Sequence, residues 1–158
     1  MAVPIVCAAM ATLFVVGCGA AEMRSLQPPA APAASARGTS GFWQGTSTAG
    51  CQPLQPEARR CNATVKITLH IVQQGSALSG TYTCAAGTMV CRESNTSGVI
   101  ANGREREGGG IGLRVMMPDG SSCLFNGRRA DDAMAGTYFC MQGGGYIEQG
   151  RFSVERAY

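Results

Sequence analysis

Cysteine is the residue type in this chain that could most readily form a functional site. The spacing of the cysteines indicates whether they form disulfides, a metal site or a redox site. There are eight cysteines but a single histidine, His70. No two cysteines have the Cys-x-x-Cys spacing typical of zinc and redox sites. Structural disulfides in an oxidising compartment are therefore predicted, and no metal site or cofactor is expected. The cysteines are Cys7, Cys18, Cys51, Cys61, Cys84, Cys91, Cys123 and Cys140.

The other reactive side chains do not form a recognisable catalytic set. His70 falls on the polar side of a predicted strand and is interpreted as a surface histidine. Asp131 and Asp132 lie in a predicted turn, where aspartate is favoured because it caps local backbone groups. Glu105 and Glu107 alternate with arginines just before three glycines, a pattern interpreted as a solvated, mobile loop. We therefore expect no enzymatic activity.

Cys18 ends an apolar N-terminal run. Residues 1–17 carry no charged side chain and are too few to span a bilayer as a helix, which needs about 20 apolar residues. They are predicted to be a cleaved signal peptide. The letters Val15-Val16-Gly17-Cys18 resemble the lipobox of bacterial lipoproteins. An ordinary signal peptide that happens to contain a cysteine is the alternative.

The lipobox resemblance implies a location. Cys18 would be lipidated, would become the first residue of the mature chain and would anchor it to the membrane of the cell envelope. Gly19, the next residue, is not an inner-membrane retention signal, so the resemblance implies the outer membrane in a Gram-negative organism. Once Cys7 leaves with the signal and Cys18 carries lipid, an even number of six cysteines remains for pairing.

The composition divides the chain into three parts. Residues 1–17 are the predicted signal, 18–40 are a lipid-anchored linker rich in Ala, Pro and Ser that is expected to be disordered, and 41–158 form one folded domain. The formal net charge is only +3, and the arginines are dispersed. The adjacent pairs Arg59-Arg60 and Arg128-Arg129 are interpreted as solvated surface. No nucleic-acid partner is expected.

Apolar and polar residues alternate from residue 65 onward, which predicts antiparallel strands with one buried face. A turn at residues 74–77 would place Leu69 opposite Tyr82. A turn at Pro118-Asp119-Gly120 would place Leu113 opposite Phe125, and a further turn at residues 131–132 would place Phe125 opposite Tyr138. These registers define one inward face. Its predicted members are Val65, Ile67, Leu69, Ile71, Tyr82, Ile111, Leu113, Val115, Phe125 and Tyr138.

Two features predict that the sheet closes. The segment 79–84 recurs, with Gly-Thr-Tyr in common, as segment 135–140, so a meander built twice could close and remove its exposed edges. In addition, Gly41-Phe42-Trp43-Gln44-Gly45 and the later segment 78–82 resemble the Gly-x-Trp and Gly-Thr-Tyr segments of avidin- and lipocalin-type proteins. The resemblance implies an all-β fold, a small antiparallel up-and-down β-barrel of about eight strands.

Six cysteines can form three disulfides in fifteen different ways, and the predicted strand registers reduce the number of these pairings that are favoured. Cys123 faces Cys140 across two strands, Cys84 and Cys91 flank a tight reversal, and Cys51 and Cys61 flank a loop that contains prolines. All three pairs are predicted disulfides.

The molecular activity is not encoded in a recognisable motif, and a non-catalytic binding module is the favoured hypothesis. The inferred interior lacks convergent polar groups and the chain has one tryptophan, which argues against avidin-type biotin recognition. A lipocalin-like carrier of a small apolar ligand would need the room that Gly80, Gly127 and Gly136 could leave. An inhibitor of a lysozyme or secreted protease and a structural envelope component are further alternatives. The partner is therefore an unknown protein or small molecule.

Overall fold

The computed structural model describes residues 38–50 and 62–158, and these form one closed barrel of eight antiparallel strands. Each strand pairs with its neighbours in chain order, and the last strand pairs with the first. The predicted fold class is confirmed. The strands are β1 (Gly41–Ala49), β2 (Thr64–Gln74), β3 (Ala77–Cys84), β4 (Ser97–Arg106), β5 (Gly110–Met116), β6 (Ser122–Ala130), β7 (Ala133–Gln142) and β8 (Gly145–Ala157).

The predicted strand registers are confirmed. Leu69 lies opposite Tyr82, Leu113 opposite Phe125, and Phe125 opposite Tyr138. The two repeated segments lie in β3 and β7, which are four strands apart in the barrel. Each half of the barrel therefore contains one copy.

The inward face forms a packed apolar core. All ten predicted interior residues are buried, and further large side chains from the other strands belong to the same buried cluster. Phe125 lies at the centre of an aromatic group, with ring centroids 5.3 Å from those of both Tyr138 and Phe152. The additional core residues include Trp43, Leu78, Ile100, Met134, Phe152 and Val154.

Segment 38–40 closes the end of the barrel at which the chain enters β1, here called the base. Trp43 is completely buried there, and its indole Nε1 donates a hydrogen bond to the carbonyl of Thr39 at 2.9 Å. The guanidinium of Arg156 lies 4.4 Å from the Trp43 ring centroid and donates to the carbonyl of Gly38. The cation and the indole therefore hold segment 38–40 against the end of β8 at the base.

Two charged residues of the base depart from the sequence interpretation. Glu105 lies in β4 and faces inward, so the prediction of a solvated loop at this position was wrong. Arg129 is also buried, with its side chain 3% exposed, and its Nη2 lies 2.9 Å from Oε1 of Glu105. The expected surface pair Arg128-Arg129 therefore has one exposed and one buried member. The sequence interpretation missed this burial because Arg129 and its partner Glu105 lie on different strands, β6 and β4, and their pairing was not predicted.

Helix is confined, in the part of the chain that the structure describes, to one 3-10 turn at Glu107–Gly109. Within those same ranges, no helix has the length and apolar character needed to cross a membrane.

Candidate binding site at the mouth of the barrel

The end opposite the base, here called the mouth, is where a barrel of this kind would admit a ligand. The connections β3–β4, β5–β6 and β7–β8 lie there. The longest of these described connections, residues 85–96, is here called the mouth loop. It does not stand away from the barrel, because Val90 and Cys91 are 2% and 3% exposed and belong to the hydrophobic core.

Disulfides fix the mouth at two places. Cys84 and Cys91 are joined, so the end of β3 is bonded to the middle of the mouth loop. Cys123 and Cys140 are joined across β6 and β7 at directly facing positions. The third predicted pair, Cys51 with Cys61, lies outside the described residues, as does Cys18.

Glu148, near the start of β8, binds the mouth loop from inside the barrel. Its Oε2 accepts hydrogen bonds from the backbone N–H groups of Met89 at 2.8 Å and Val90 at 3.1 Å. Its Oε1 accepts a hydrogen bond from the hydroxyl of Tyr138 at 2.7 Å. The residue is only 6% exposed, so a buried carboxylate holds three donors from two parts of the chain.

Two tyrosine hydroxyls and one serine complete a polar cluster around Glu148. Burial, followed by the charge of Glu148, raises the pKa of both Tyr82 and Tyr138 far above the usual range. Ser47 of β1 is also buried, and its hydroxyl opposes part of this rise in the pKa of both tyrosines. The tyrosines therefore remain neutral hydrogen-bonding groups at any physiological pH.

This cluster corrects the expectation that the interior lacks convergent polar groups. Ser47 and Glu148 were missed because no register was inferred for β1 or β8. A signal did exist, since Glu148 alternates with Phe152 and Val154 on the inward face of β8. A glutamate at an inward position of a strand predicts a buried partner.

The polar groups of the cluster are already used by the chain itself. Both carboxylate oxygens of Glu148 are occupied by donors of the mouth loop and of Tyr138. The loop is further held by Asn95, whose side-chain amide donates to the carbonyl of Val90 at 2.8 Å. In this conformation the mouth loop covers the buried polar cluster.

The glycines that were expected to leave room in the interior do not do so. A Cβ atom at Gly127 would lie 2.5 Å from the carbonyl oxygen of Ala135 and 2.9 Å from the ring of Phe152. A Cβ at Gly80 or Gly136 would overlap the backbone of the adjacent strand. These glycines permit close approach of neighbouring strands.

The other candidate reactive residues do not come together. His70 lies on the outer face, where its ring stacks on Phe42 with a centroid distance of 4.4 Å. Asp131, which has a positive φ of 52°, and Asp132 form the β6–β7 turn, as predicted. Among the described residues, no three His, Cys, Asp or Glu side chains are grouped so that they could bind a metal ion.

Comparison with known proteins gives a structural likeness alone. No protein-family model matches the chain, and no curated protein matches its sequence. The structure of a bradavidin2–biotin complex is similar with a TM-score of 0.52 and 14% identity, over 77% of this chain and 100% of that chain. The fold resembles an avidin-like barrel. Rv2717c from M. tuberculosis is a weaker match, with a TM-score of 0.42 and 13% identity, over 75% of this chain and 92% of that chain.

The role of the Cys84–Cys91 disulfide in fixing the mouth loop is testable. Replacing Cys84 and Cys91 together by alanine should lower the free energy of unfolding by about 2 kcal/mol, because a short loop is no longer closed in the unfolded chain. It should also accelerate amide hydrogen exchange at Met89 and Val90. The matched variant, Cys123→Ala with Cys140→Ala, should destabilise the protein by about 3 kcal/mol without that local effect. Equal exchange at both amides in the two variants would contradict the assigned role of the first disulfide.

Proposed function

We propose that the protein is a lipid-anchored, non-catalytic binding module of the cell envelope that binds its partner on the outside of a sealed barrel. The observation that carries the proposal is the closure of both ends. Segment 38–40 covers Trp43 at the base, and the mouth loop is bonded to Glu148 at the other end. Between these ends the inward side chains form one buried hydrophobic cluster.

The sealed interior disfavours a lipocalin-like carrier. An apolar ligand needs a cavity of roughly 300 Å³ or more. We therefore expect the neutral fluorescent probe N-phenyl-1-naphthylamine to show no enhancement with the native protein. Tight, saturable enhancement would refute the sealed barrel and favour the carrier.

The anchor is supported by the lipobox resemblance and by the position of the linker, since residues 18–40 lead into the base. The anchoring membrane would be the outer membrane if the organism is Gram-negative. When the full chain is produced in a bacterial host, it should enter the detergent phase of a Triton X-114 separation, and the Cys18→Ala variant should enter the aqueous phase. The intact mass of the mature chain should show lipid on Cys18. An unmodified thiol there would reject the anchor.

A protein-inhibitor role is the second candidate, and one observation favours it. Met89 is 40% exposed at a point where the mouth loop is fixed by the Cys84–Cys91 disulfide and by the bond from its own N–H to Glu148. A rigid loop with an exposed apolar side chain loses little entropy when it binds. If this role holds, a panel of lysozymes and secreted proteases should include a target inhibited by the wild type and not by Met89→Glu.

A further inference from the structure

The outer wall of the barrel contains a basic hollow that no part of the sealed core or mouth explains. Its volume is about 630 Å³, and it lies across the outer faces of β3 to β6. The size is within the range of small-ligand sites. This site is here called the wall hollow, and its lining includes Ser79, Asn102, Arg104, Arg106, Gly112 and Asn126.

A glycine, Gly112, forms part of the floor of the hollow and contributes no side chain to it. Gly112 lies on the outer face of β5, directly between Arg104 of β4 and Asn126 of β6. A Cβ atom at Gly112 would have its nearest neighbour, Oδ1 of Asn126, at 3.7 Å, which is ordinary contact distance. The position thus tolerates a side chain without a clash, and glycine keeps the floor open.

The strand pairing beside the hollow is irregular at two places. The register between β3 and β4 shifts between Leu78 and Gly80, and that between β4 and β5 shifts between Ile100 and Asn102. Such bulges redirect side chains and occur often beside binding sites. Here the second shift directly precedes Asn102, one of the residues that line the hollow.

The charge around the hollow is of one sign. The outer faces of β3 to β7 carry four exposed arginines and no carboxylate. The three ion pairs among the described residues involve other arginines. Of the two acids adjacent in sequence to these strand arginines, Glu105 faces inward and pairs with Arg129, and Glu107 belongs to the exposed turn after β4. The four arginines are Arg104, Arg106, Arg114 and Arg128.

We propose that the wall hollow binds an acidic saccharide, a sugar unit that carries carboxylate or phosphate groups. Arg104 and Arg106 lie two residues apart on one face of β4, about 7 Å along the strand, and guanidinium groups bind oxyanions in a bidentate manner. The amides of Asn102 and Asn126 and the hydroxyl of Ser79 can exchange hydrogen bonds with sugar hydroxyls. The inference rests on the proposed function, because it names the outer site of the sealed barrel.

The test uses the full-length Cys18→Ala chain and isothermal titration at low ionic strength. Trigalacturonate and glucose 1,6-bisphosphate are the carboxylate and phosphate probes, and maltotriose is the neutral control. At least one acidic probe should bind, more weakly as salt is added, and maltotriose should not. No binding of either acidic probe, or equal binding of maltotriose, would overturn the proposal.

Variants separate the hollow from general surface charge. Gly112→Leu fills the floor and leaves every charge in place, and Arg104→Gln with Arg106→Gln removes two charges; each should weaken binding at least tenfold. Two matched controls, Thr46→Leu and Lys66→Gln with Arg151→Gln, alter exposed positions elsewhere on the barrel and should change binding less than twofold. Equal losses in the controls, or none with Gly112→Leu, would refute the site.

The outcome also distinguishes this inference from the proposed function. If the acidic probes do not bind while the interior still excludes N-phenyl-1-naphthylamine, only the wall hollow is refuted. If binding survives the hollow variants and is abolished by Glu148→Gln, the ligand enters through the mouth, and both the hollow and the sealed barrel are refuted.

Discussion

Glu148→Ala should lower the free energy of unfolding by about 3 kcal/mol and release the mouth loop from the barrel. The substitution removes the acceptor for the N–H groups of Met89 and Val90 and for the hydroxyl of Tyr138. Buried donors left without an acceptor cost about 1–3 kcal/mol each, more when the lost partner is charged. Relief of the buried charge offsets part of that loss.

Urea unfolding measures the global effect, and amide hydrogen exchange at Met89 and Val90 measures the local one. Glu148→Gln is the conservative variant, because its amide oxygen still accepts the two backbone bonds and only the Tyr138 bond must reverse its direction. It should retain slow exchange at both amides and lose about 1 kcal/mol. Glu155→Ala removes an exposed carboxylate from the same strand and should change stability by less than about 0.5 kcal/mol.

The comparison of these variants isolates the role of the carboxylate. If Glu148→Ala leaves the exchange of Met89 and Val90 as slow as in the wild type, then the disulfide and Asn95 hold the mouth loop without Glu148. The sealed mouth would then not depend on the polar cluster.

The sequence predicted the positions of the buried apolar residues better than those of the buried polar residues. Strict alternation in β2 and β5 was enough to pair Leu69 with Tyr82 and Leu113 with Phe125, since a shift of one residue would expose every apolar side chain. Turn residues such as Asp119 and Asp131 then fixed the order of the strands.

The buried polar residues could not be predicted in the same way. Glu148 is separated by 59 residues from Met89, the donor that justifies its burial, and Glu105 by 24 residues from Arg129. Each acid taken alone favours a surface position, because burial of an unpaired charge is expensive. The pairing is a consequence of barrel closure, which brings distant strands together. The candidate site was therefore missed at the positions where the sequence departs from the apolar pattern.

Arg129→Met should be the most destabilising of the charge substitutions, with a loss of about 3–5 kcal/mol at pH 7. Arg129 Nε and Nη2 both donate to Oε1 of Glu105, at 3.1 and 2.9 Å. Without the guanidinium, a carboxylate that is only 13% exposed loses its counter-charge. Arg128→Met, a matched change at the adjacent exposed residue, should change stability by less than about 0.5 kcal/mol.

The effect should depend on pH in a defined direction. Desolvation by itself would raise the pKa of Glu105, but hydrogen bonds from Arg129, Thr39 and Gln73 and the charge of Arg129 lower it below the ordinary value of 4.5. A carboxyl group whose pKa is lower in the folded state contributes stability above its unfolded pKa and loses it as the pH falls through the folded value. The wild type therefore loses the contribution of this pair in acid, whereas Arg129→Met is relieved of a buried charge.

The difference in stability between the wild type and Arg129→Met should consequently shrink between pH 7 and pH 3. Urea unfolding at a series of pH values measures it, and the Glu105→Leu, Arg129→Met double variant completes a cycle that isolates the pair. That double variant should be closer to the wild type than Arg129→Met is, since no buried charge remains. A difference that is constant with pH would mean that Arg129 stabilises the base through the packing of its buried side chain and not through its charge on Glu105.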